Sequence, residues 1–513
     1  MNRQQQHSDR NILLATIIVL LAGLVIRWVA LGVFPAGMHQ DEAYSGYEAY
    51  SLLKYGVDSW GYHNPVHFTT WGSGMNALYI YLSMIPIRLF GLSAFSIRFT
   101  QALFGSLSLV IFYLLCKETG NKKLALLGLF ILAINPWHIM MSRWAWDSNL
   151  TVSFLLAGMY FFIIGLKKSP FLILSALFYG MSLYGYPTTW VTLPFILLLM
   201  IVYSLYCKRL HFSRSLVAAV IVFGMLALPM LLYVLVNYGI IPEIRTGWIS
   251  IPKLVVWRSN YFSLHTLLDT IVWLCNLFGF QRGSIQSVLP YFGMYYLFST
   301  PFIIWGFIDI LTTGIKKLKQ REFFLPLVVI FQVIGALFFL LTLSYPAVHR
   351  VNVIHLPLIF CNVYGLMLFW KKFKKTVARW VIALYSISFI LFAYTYFTTQ
   401  PPFFSGYQQA LHKAIASEAE TVYISDLMHP VFLFESRYPV KDYIREVKYA
   451  NYPAVYLKAS RIGRYRLIFD QKKVDDQGVY IFPHYFKNMY KRLLHHGFKI
   501  ESYEDFYYAE KIQ

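Results

Sequence analysis

The sequence predicts an all-α polytopic membrane protein of about eleven spans, with a small α/β domain at its C-terminal end. Three observations carry that expectation. Apolar runs of about twenty residues, enough to cross a hydrocarbon core, recur between residues 11 and 397. Lysine and arginine gather in alternate connections between those runs, the pattern that orients membrane helices. From Thr398 onward the apolar runs shorten to strand length and are separated by Pro, Gly and Asp. Hydrophobic residues make up 58% of the 513 and charged residues 13%, which excludes an ordinary soluble domain. The expected division is a membrane domain over 1–397 and an extracytoplasmic domain over 398–513.

Taken in order, the first run covers 11–31. It lacks a small-residue cleavage site and is read as a retained span rather than a signal peptide. A first outer loop follows over 32–96. Within it, Asn76–Ile87 is apolar but only about a dozen residues long, a length that suits a re-entrant or interfacial helix rather than a span. The remaining spans are expected at 97–116, 124–141, 149–166, 171–185, 187–206, 213–237, 291–313, 323–343, 350–369 and 377–397. Basic clusters such as Lys117/Lys122/Lys123, Lys167/Lys168, Lys316–Arg321 and Lys371–Lys375 place one set of connections in the cytoplasm. The intervening connections, poor in cations, then face outward, with the N-terminus inside and the C-terminus outside. A second large outer loop covers 238–290 and holds Trp248, Trp257, Tyr261, Trp273 and Arg282; its apolar part near Leu264–Phe280 suits an interfacial helix. In the C-terminal region a helix is expected over Gln408–Ala419. Strands are expected at Thr421–Ile424, Val431–Phe434, Ala454–Leu457, Arg466–Phe469 and Val479–Phe482.

The net charge of +21 does not point to nucleic acid, because the cations sit in short loops where they set topology. Cys116, Cys207, Cys275 and Cys361 lie in or beside spans and form no disulfide framework and no metal-binding pair. The ionisable residues that could carry chemistry cluster on one side. Asp41, Glu42, His63, His67, Arg98, Arg143, Asp147, His349 and Arg350 all fall at outer span ends or in outer loops. Mid-span charges are nearly absent, which argues against a transporter or flippase, whose coupling sites lie near the midplane. The sharpest feature is the adjacent pair Asp41 and Glu42 just after the first span, since acids tied to membrane helices are costly and usually functional. The plainer alternative is an acid pair in the first turn of a helix. Arg143 and Asp147, spaced i, i+4, could likewise be a structural ion pair, and Arg98 could snorkel to headgroups.

Gln40-Asp41-Glu42-Ala43-Tyr44 after the first span resembles the outer-loop Asp-Glu motif of the GT-C glycosyltransferases. The nearest branch contains the protein O-mannosyltransferases and the lipid A aminoarabinose transferase. Leu89–Arg98 with Gly105 is similar to that branch's re-entrant helix and second span, and Pro136 with Ser142–Asp147 to its second outer loop. The resemblance covers about residues 11–200. It implies a GT-C fold and transfer of a sugar from a polyprenyl phosphate, most plausibly undecaprenyl phosphate, to an acceptor outside the cytoplasm. The acceptor could be a wall or surface polysaccharide, a lipid-linked glycan or a protein. It also implies Asp41 as general base, with Glu42 ordering the acceptor or a divalent metal ion. Arg98 would contact the donor phosphate, and Arg143 with Asp147 would shape the donor pocket. Many relatives carry a Lys-Pro-Pro or His-Pro-Pro run where this chain has Trp71-Gly-Ser-Gly-Met75, so His67 or Arg350 is expected to stand in for the missing cation. The large lumenal insert of eukaryotic relatives is lacking, which favours a bacterial plasma-membrane enzyme.

Overall fold

The computed structural model describes residues 3–70, 72–257, 264–278, 289, 291–340, 348–399, 405–424 and 429–511. Trp71, Tyr261 and Arg282 lie outside the described residues. The chain opens with α1 (Arg3–Trp28). The segment after it holds α2 (Gln40–Tyr55), the short pair β1 (His67–Phe68) and β2 (Met75–Asn76), and α3 (Ala77–Phe90). Then come α4 (Ala94–Lys117), α5 (Lys122–Ala133), α6 (Pro136–Met141), α7 (Asp147–Gly165), α8 (Phe171–Ser182), α9 (Thr188–Tyr206) and α10 (Arg214–Asn237). After β3 (Ile244–Arg245) and β4 (Ser250–Ile251) follow α11 (Leu264–Phe278), α12 (Thr300–Lys319), α13 (Leu325–Leu340), α14 (His355–Lys372) and α15 (Lys375–Thr398).

A helix therefore stands at each expected span. Among the described residues, eight helices are long and apolar enough to cross a membrane. The other three, α5 and α8 at 12 residues and α13 at 16, are shorter. At 1.5 Å per residue they reach only about 18–24 Å. The span expected over 124–141 is in fact two helices. Pro136 has no N–H with which to continue the ladder of α5, and the Asn135 side chain accepts from the His138 N–H at 2.9 Å to start α6 instead.

The chain divides into two compact units. One holds residues 1–29, 101–230 and 259–399, and is a helix bundle. Its tightest crossing joins α12 and α14: a Cβ added at Gly306 would strike the Cys361 carbonyl, and one added at Gly365 the Phe302 carbonyl. Small residues let two backbones approach where lipid supplies no hydrophobic drive for association.

The second unit holds 30–100, 231–258 and 400–513. The segment after α1 docks on the C-terminal region: a Cβ at Gly46 of α2 would meet the Phe434 ring, and the Tyr47 hydroxyl donates to the Tyr438 carbonyl at 2.7 Å. Val66 N–H donates to the Ser250 carbonyl at 2.9 Å, tying in the segment after α10. The C-terminal part adds α16 (Ser405–Ala416), β5 (Val422–Ile424), α17 (His429–Ser436), α18 (Val440–Glu446), β6 (Lys448–Tyr449), β7 (Ala459–Ile462), β8 (Tyr465–Arg466), β9 (Val479–Pro483), α19 (Lys487–His495), β10 (Phe498–Tyr503) and β11 (Phe506–Lys511). Its seven strands run in the order β10-β11-β9-β5-β8-β7-β6, with β5 parallel to both neighbours.

Three strand expectations are corrected; of Arg466–Phe469 only Arg466 lies in a strand, at the end of β8. Val431–Phe434 lies in α17, because a four-residue apolar run has no readable period and Pro430 suits a helix's first turn. Ala454–Leu457 precedes β7 rather than forming a strand.

Candidate active site

Asp41 and Glu42 are not in a free loop. They occupy the first turn of α2, where carboxylates complement the unsatisfied N–H groups of a helix start. His39 is the N-cap: its Nδ1 accepts from the Asp41 N–H at 3.1 Å, and its own N–H donates to Glu42 Oε2 at 3.2 Å. This is a capping box with histidine in the position usually held by Ser or Thr.

The two acids then part. Glu42 is fully buried, as is Arg98. Arg98 Nε donates to Glu42 Oε1 and Nη2 to Oε2, both at 3.0 Å. The same guanidinium donates to the carbonyls of Pro35 and Gly37, each at 2.7 Å, and of Leu31 at 3.4 Å. Arg98 thus gathers the turn between α1 and α2 around one planar cation. This differs from the donor-phosphate contact that the resemblance implies, because the guanidinium is engaged inside the protein. Glu42 differs from its expected role for the same reason. A divalent ion at Glu42 would have to displace Arg98, so the residues present do not fit a metal there. Among the described residues, no group of three or more His, Cys, Asp or Glu is placed to hold one.

Asp41 keeps 37% of its side chain exposed, with His39 Nδ1 at 3.6 Å from Oδ2. The protein mass around it raises its carboxyl above the usual aspartate range; His39 pulls the other way, and Glu42 adds a smaller push upward. A carboxylate raised in this way is a better proton acceptor than a free aspartate.

His67, expected as a replacement cation, is 3% exposed and stacks on Tyr233 with ring centroids 4.5 Å apart. Its Nδ1 lies 3.0 Å from the Tyr233 hydroxyl. Burial pushes its imidazole down to about 3, so it is neutral at physiological pH and offers a hydrogen bond, not a charge. Gly74 closes this corner at φ +96°, and a Cβ there would strike the His67 ring.

Arg143, Asp147 and Arg350 belong to the other unit. Arg143 is fully buried and donates to the carbonyls of Ile26 at 2.9 Å and Val29 at 2.8 Å, closing the end of α1. Its guanidinium also lies over the rings of Tyr396 and Phe397, 5.5 and 5.2 Å from their centroids. Asp147 opens α7, its carboxylate accepting from the Ser148 N–H at 2.7 Å. Arg350 lies half-buried in a 3₁₀ turn, its carbonyl accepting from the Thr188 hydroxyl at 2.9 Å.

Sequence reasoning missed two further groups. Arg27 is a third fully buried arginine, donating to the carbonyls of Gly23, Leu132 and Ala133 and sitting 2.7 Å from His138 Nδ1. Glu48 and Asp58 are two further, wholly buried acids in the same unit as Asp41, near enough for the charge of Glu48 to act on Asp58. Glu48 Oε2 accepts from the Ser59 N–H, and Asp58 Oδ1 from the N–H groups of Trp60 and Tyr62. Glu48 Oε1 and Asp58 Oδ2 have no hydrogen-bond partner among the described residues. Burial raises Glu48 to about 7, and burial with the charge of Glu48 raises Asp58 well above its usual range. Standing 7 and 17 residues after Asp41, they carried no readable signal in the sequence.

A family model described as dolichyl-phosphate-mannose-protein mannosyltransferase matches residues 77–233. No curated protein matches the chain. Among solved structures, ArnT from Cupriavidus metallidurans in the apo state superposes with a TM-score of 0.61 at 13% identity, covering 97% of this chain and 99% of ArnT. ArnT bound to undecaprenyl phosphate gives 0.55 at 14%, with the same coverage. The Archaeoglobus fulgidus oligosaccharyltransferase, tethered to an acceptor peptide, gives 0.51 at 13%, covering 83% of this chain. The chain spans 63% of that archaeal protein's length. The expected resemblance thus holds: this is a multi-pass membrane protein of GT-C fold, and its residues 77–233 match the dolichyl-phosphate-mannose-protein mannosyltransferase family model.

Proposed function

We propose that the protein is a glycosyltransferase that moves a sugar from a polyprenyl phosphate to an acceptor hydroxyl at the extracytoplasmic face of the cell membrane. One observation carries this reading. Of two adjacent acids, Glu42 is anchored by Arg98 while Asp41 is presented on the same helical turn, partly exposed and with a raised pKa. The fold shared with ArnT, which binds undecaprenyl phosphate, supports a lipid-linked donor.

In this mechanism Asp41 takes the acceptor's proton as its oxygen attacks the anomeric carbon. The sugar–phosphate C–O bond breaks on the opposite side, and the electron pair leaves with the polyprenyl phosphomonoester. One base suffices, because the acceptor attacks directly and the anomeric centre inverts. Negative charge grows on the leaving phosphate and calls for cations; Arg350 is assigned to the donor phosphate, and Arg143, held against backbone carbonyls, is assigned with Asp147 to shaping the donor pocket. Arg98 is assigned to holding Glu42 and the turn beneath Asp41.

The test compares polyprenyl-phosphate sugars and surface glycans, by mass spectrometry, in cells that lack the gene or carry Asp41→Asn. Accumulation of one lipid-linked sugar together with loss of the matching substituent, in both strains, is the expected result. It would also identify the sugar, hexose or pentose, and whether the acceptor is polysaccharide, lipid-linked glycan or protein. Unchanged glycans in the Asp41→Asn strain at normal protein abundance would overturn the reading.

A further inference from the structure

The helix bundle carries a cavity of about 400 Å³ at the end remote from Asp147 and Arg350. It sits between the last turns of α4, α7 and α14 and the first turns of α5 and α13. A volume in this range is ordinary for a small-molecule site.

Its floor is apolar, built from Leu124, Ile163, Leu166, Leu325, Met367 and Leu368. Its rim is cationic, with Lys167, Arg209 and Lys371, and holds one acid, Glu118. Glu118 is taken by Lys167. That leaves Arg209 and Lys371 without a carboxylate partner among the described residues. Arg209 rests on the Phe323 ring, 5.9 Å from its centroid, which holds the guanidinium at the rim. Topogenic lysines need only lie in a connection; they need not surround a hollow. Here two uncompensated cations from different connections stand over a greasy recess, which is the form of a site for an anion with an apolar tail.

We infer that this cavity binds one anionic phospholipid, its headgroup phosphate between Arg209 and Lys371 and part of an acyl chain on the apolar floor. The lipid would bridge α9 to α14 at the ends opposite Thr188, which opens α9, and Arg350, in the 3₁₀ turn leading into α14. The inference does not depend on the transferase reading.

The test is native mass spectrometry of the full-length protein, delipidated in detergent and titrated with phosphatidylglycerol or phosphatidylcholine. Wild type should retain one phosphatidylglycerol per chain, at least tenfold more tightly than phosphatidylcholine. Arg209→Gln with Lys371→Gln should lose that preference about tenfold, at unchanged unfolding temperature in lipid-free detergent, because both side chains are exposed. Millimolar inorganic phosphate should not displace the bound lipid. Equal retention of the two lipids, or an unaltered preference in the double variant, would overturn the proposal. Displacement by inorganic phosphate would also overturn it, leaving a simple anion site.

Discussion

Glu42 and Arg98 meet edge to edge inside the protein, Nε to Oε1 and Nη2 to Oε2 at 3.0 Å each, with neither side chain exposed. Removing one partner of a buried pair strands the other's charge, at a cost of about 3–5 kcal/mol. Arg98→Ala and Glu42→Gln should therefore lower unfolding temperature and abundance together with activity. Arg98→Lys should not rescue, since an ammonium cannot match the forked geometry. Replacing both by Leu should cost less than the two single losses summed, read by thermal unfolding in detergent. A stable, inactive Arg98→Ala would instead restore the donor-phosphate role.

Asp41 should behave oppositely. With a third of its side chain open and, among the described residues, no ion-pair partner but His39, Asp41→Asn should fold normally and lose transfer by a factor of about 10² or more. The base works only when deprotonated, and its pKa is raised. Activity should accordingly climb with pH through a limb lying above the ordinary aspartate value of about 3.9. A limb at or below that value, measured on purified enzyme with a fixed donor, would count against Asp41.

The buried pair Glu48 and Asp58 should tie stability to pH. The folded value of Glu48 is about 7 against 4.5 unperturbed, so the unfolded chain gives up this proton first. The stabilisation is complete below about 4.5 and is lost as pH rises through about 7. Unfolding temperature should fall by several degrees across that window, and Glu48→Gln should flatten the fall. A wild-type profile level from pH 4.5 to 7 would show that Glu48 does not keep its proton in the folded protein.

The α12–α14 crossing should tolerate no side chain. Gly306→Ala or Gly365→Ala pushes a methyl into a facing carbonyl, and overpacking of this kind costs about 1–3 kcal/mol. Both variants should show lower unfolding temperatures, whereas Gly224→Ala, which meets nothing, should not.

The membrane helices were legible because a twenty-residue apolar run has few other uses, and the lysine-rich turns marked their ends. What failed was local. The break at Asn135-Pro136 was overridden because the apolar residues on either side of it add up to a span length, and the strand assigned to Val431–Phe434 was too short for its period to speak. At the site, the motif located Asp41 and Glu42 but could not divide their work, since that depends on which carboxylate faces Arg98, 56 residues away. The same holds for Glu48 and Asp58, joined by burial rather than by any spacing rule, and for His67, whose neutrality comes from its burial.

Arg27 sets a timetable for biosynthesis. Three of its acceptors, the Leu132 and Ala133 carbonyls and the His138 ring, are encoded 105 to 111 residues after it. At roughly 5–20 residues per second, a ribosome needs on the order of 5–20 s to deliver them. Through that interval the guanidinium in the last turn of the first helix has only the Gly23 carbonyl of its own helix to answer it, and its long stem can float it up to the lipid headgroups. Only once 122–141 has emerged can the helix settle to its final depth, so the order of translation is also the order of assembly.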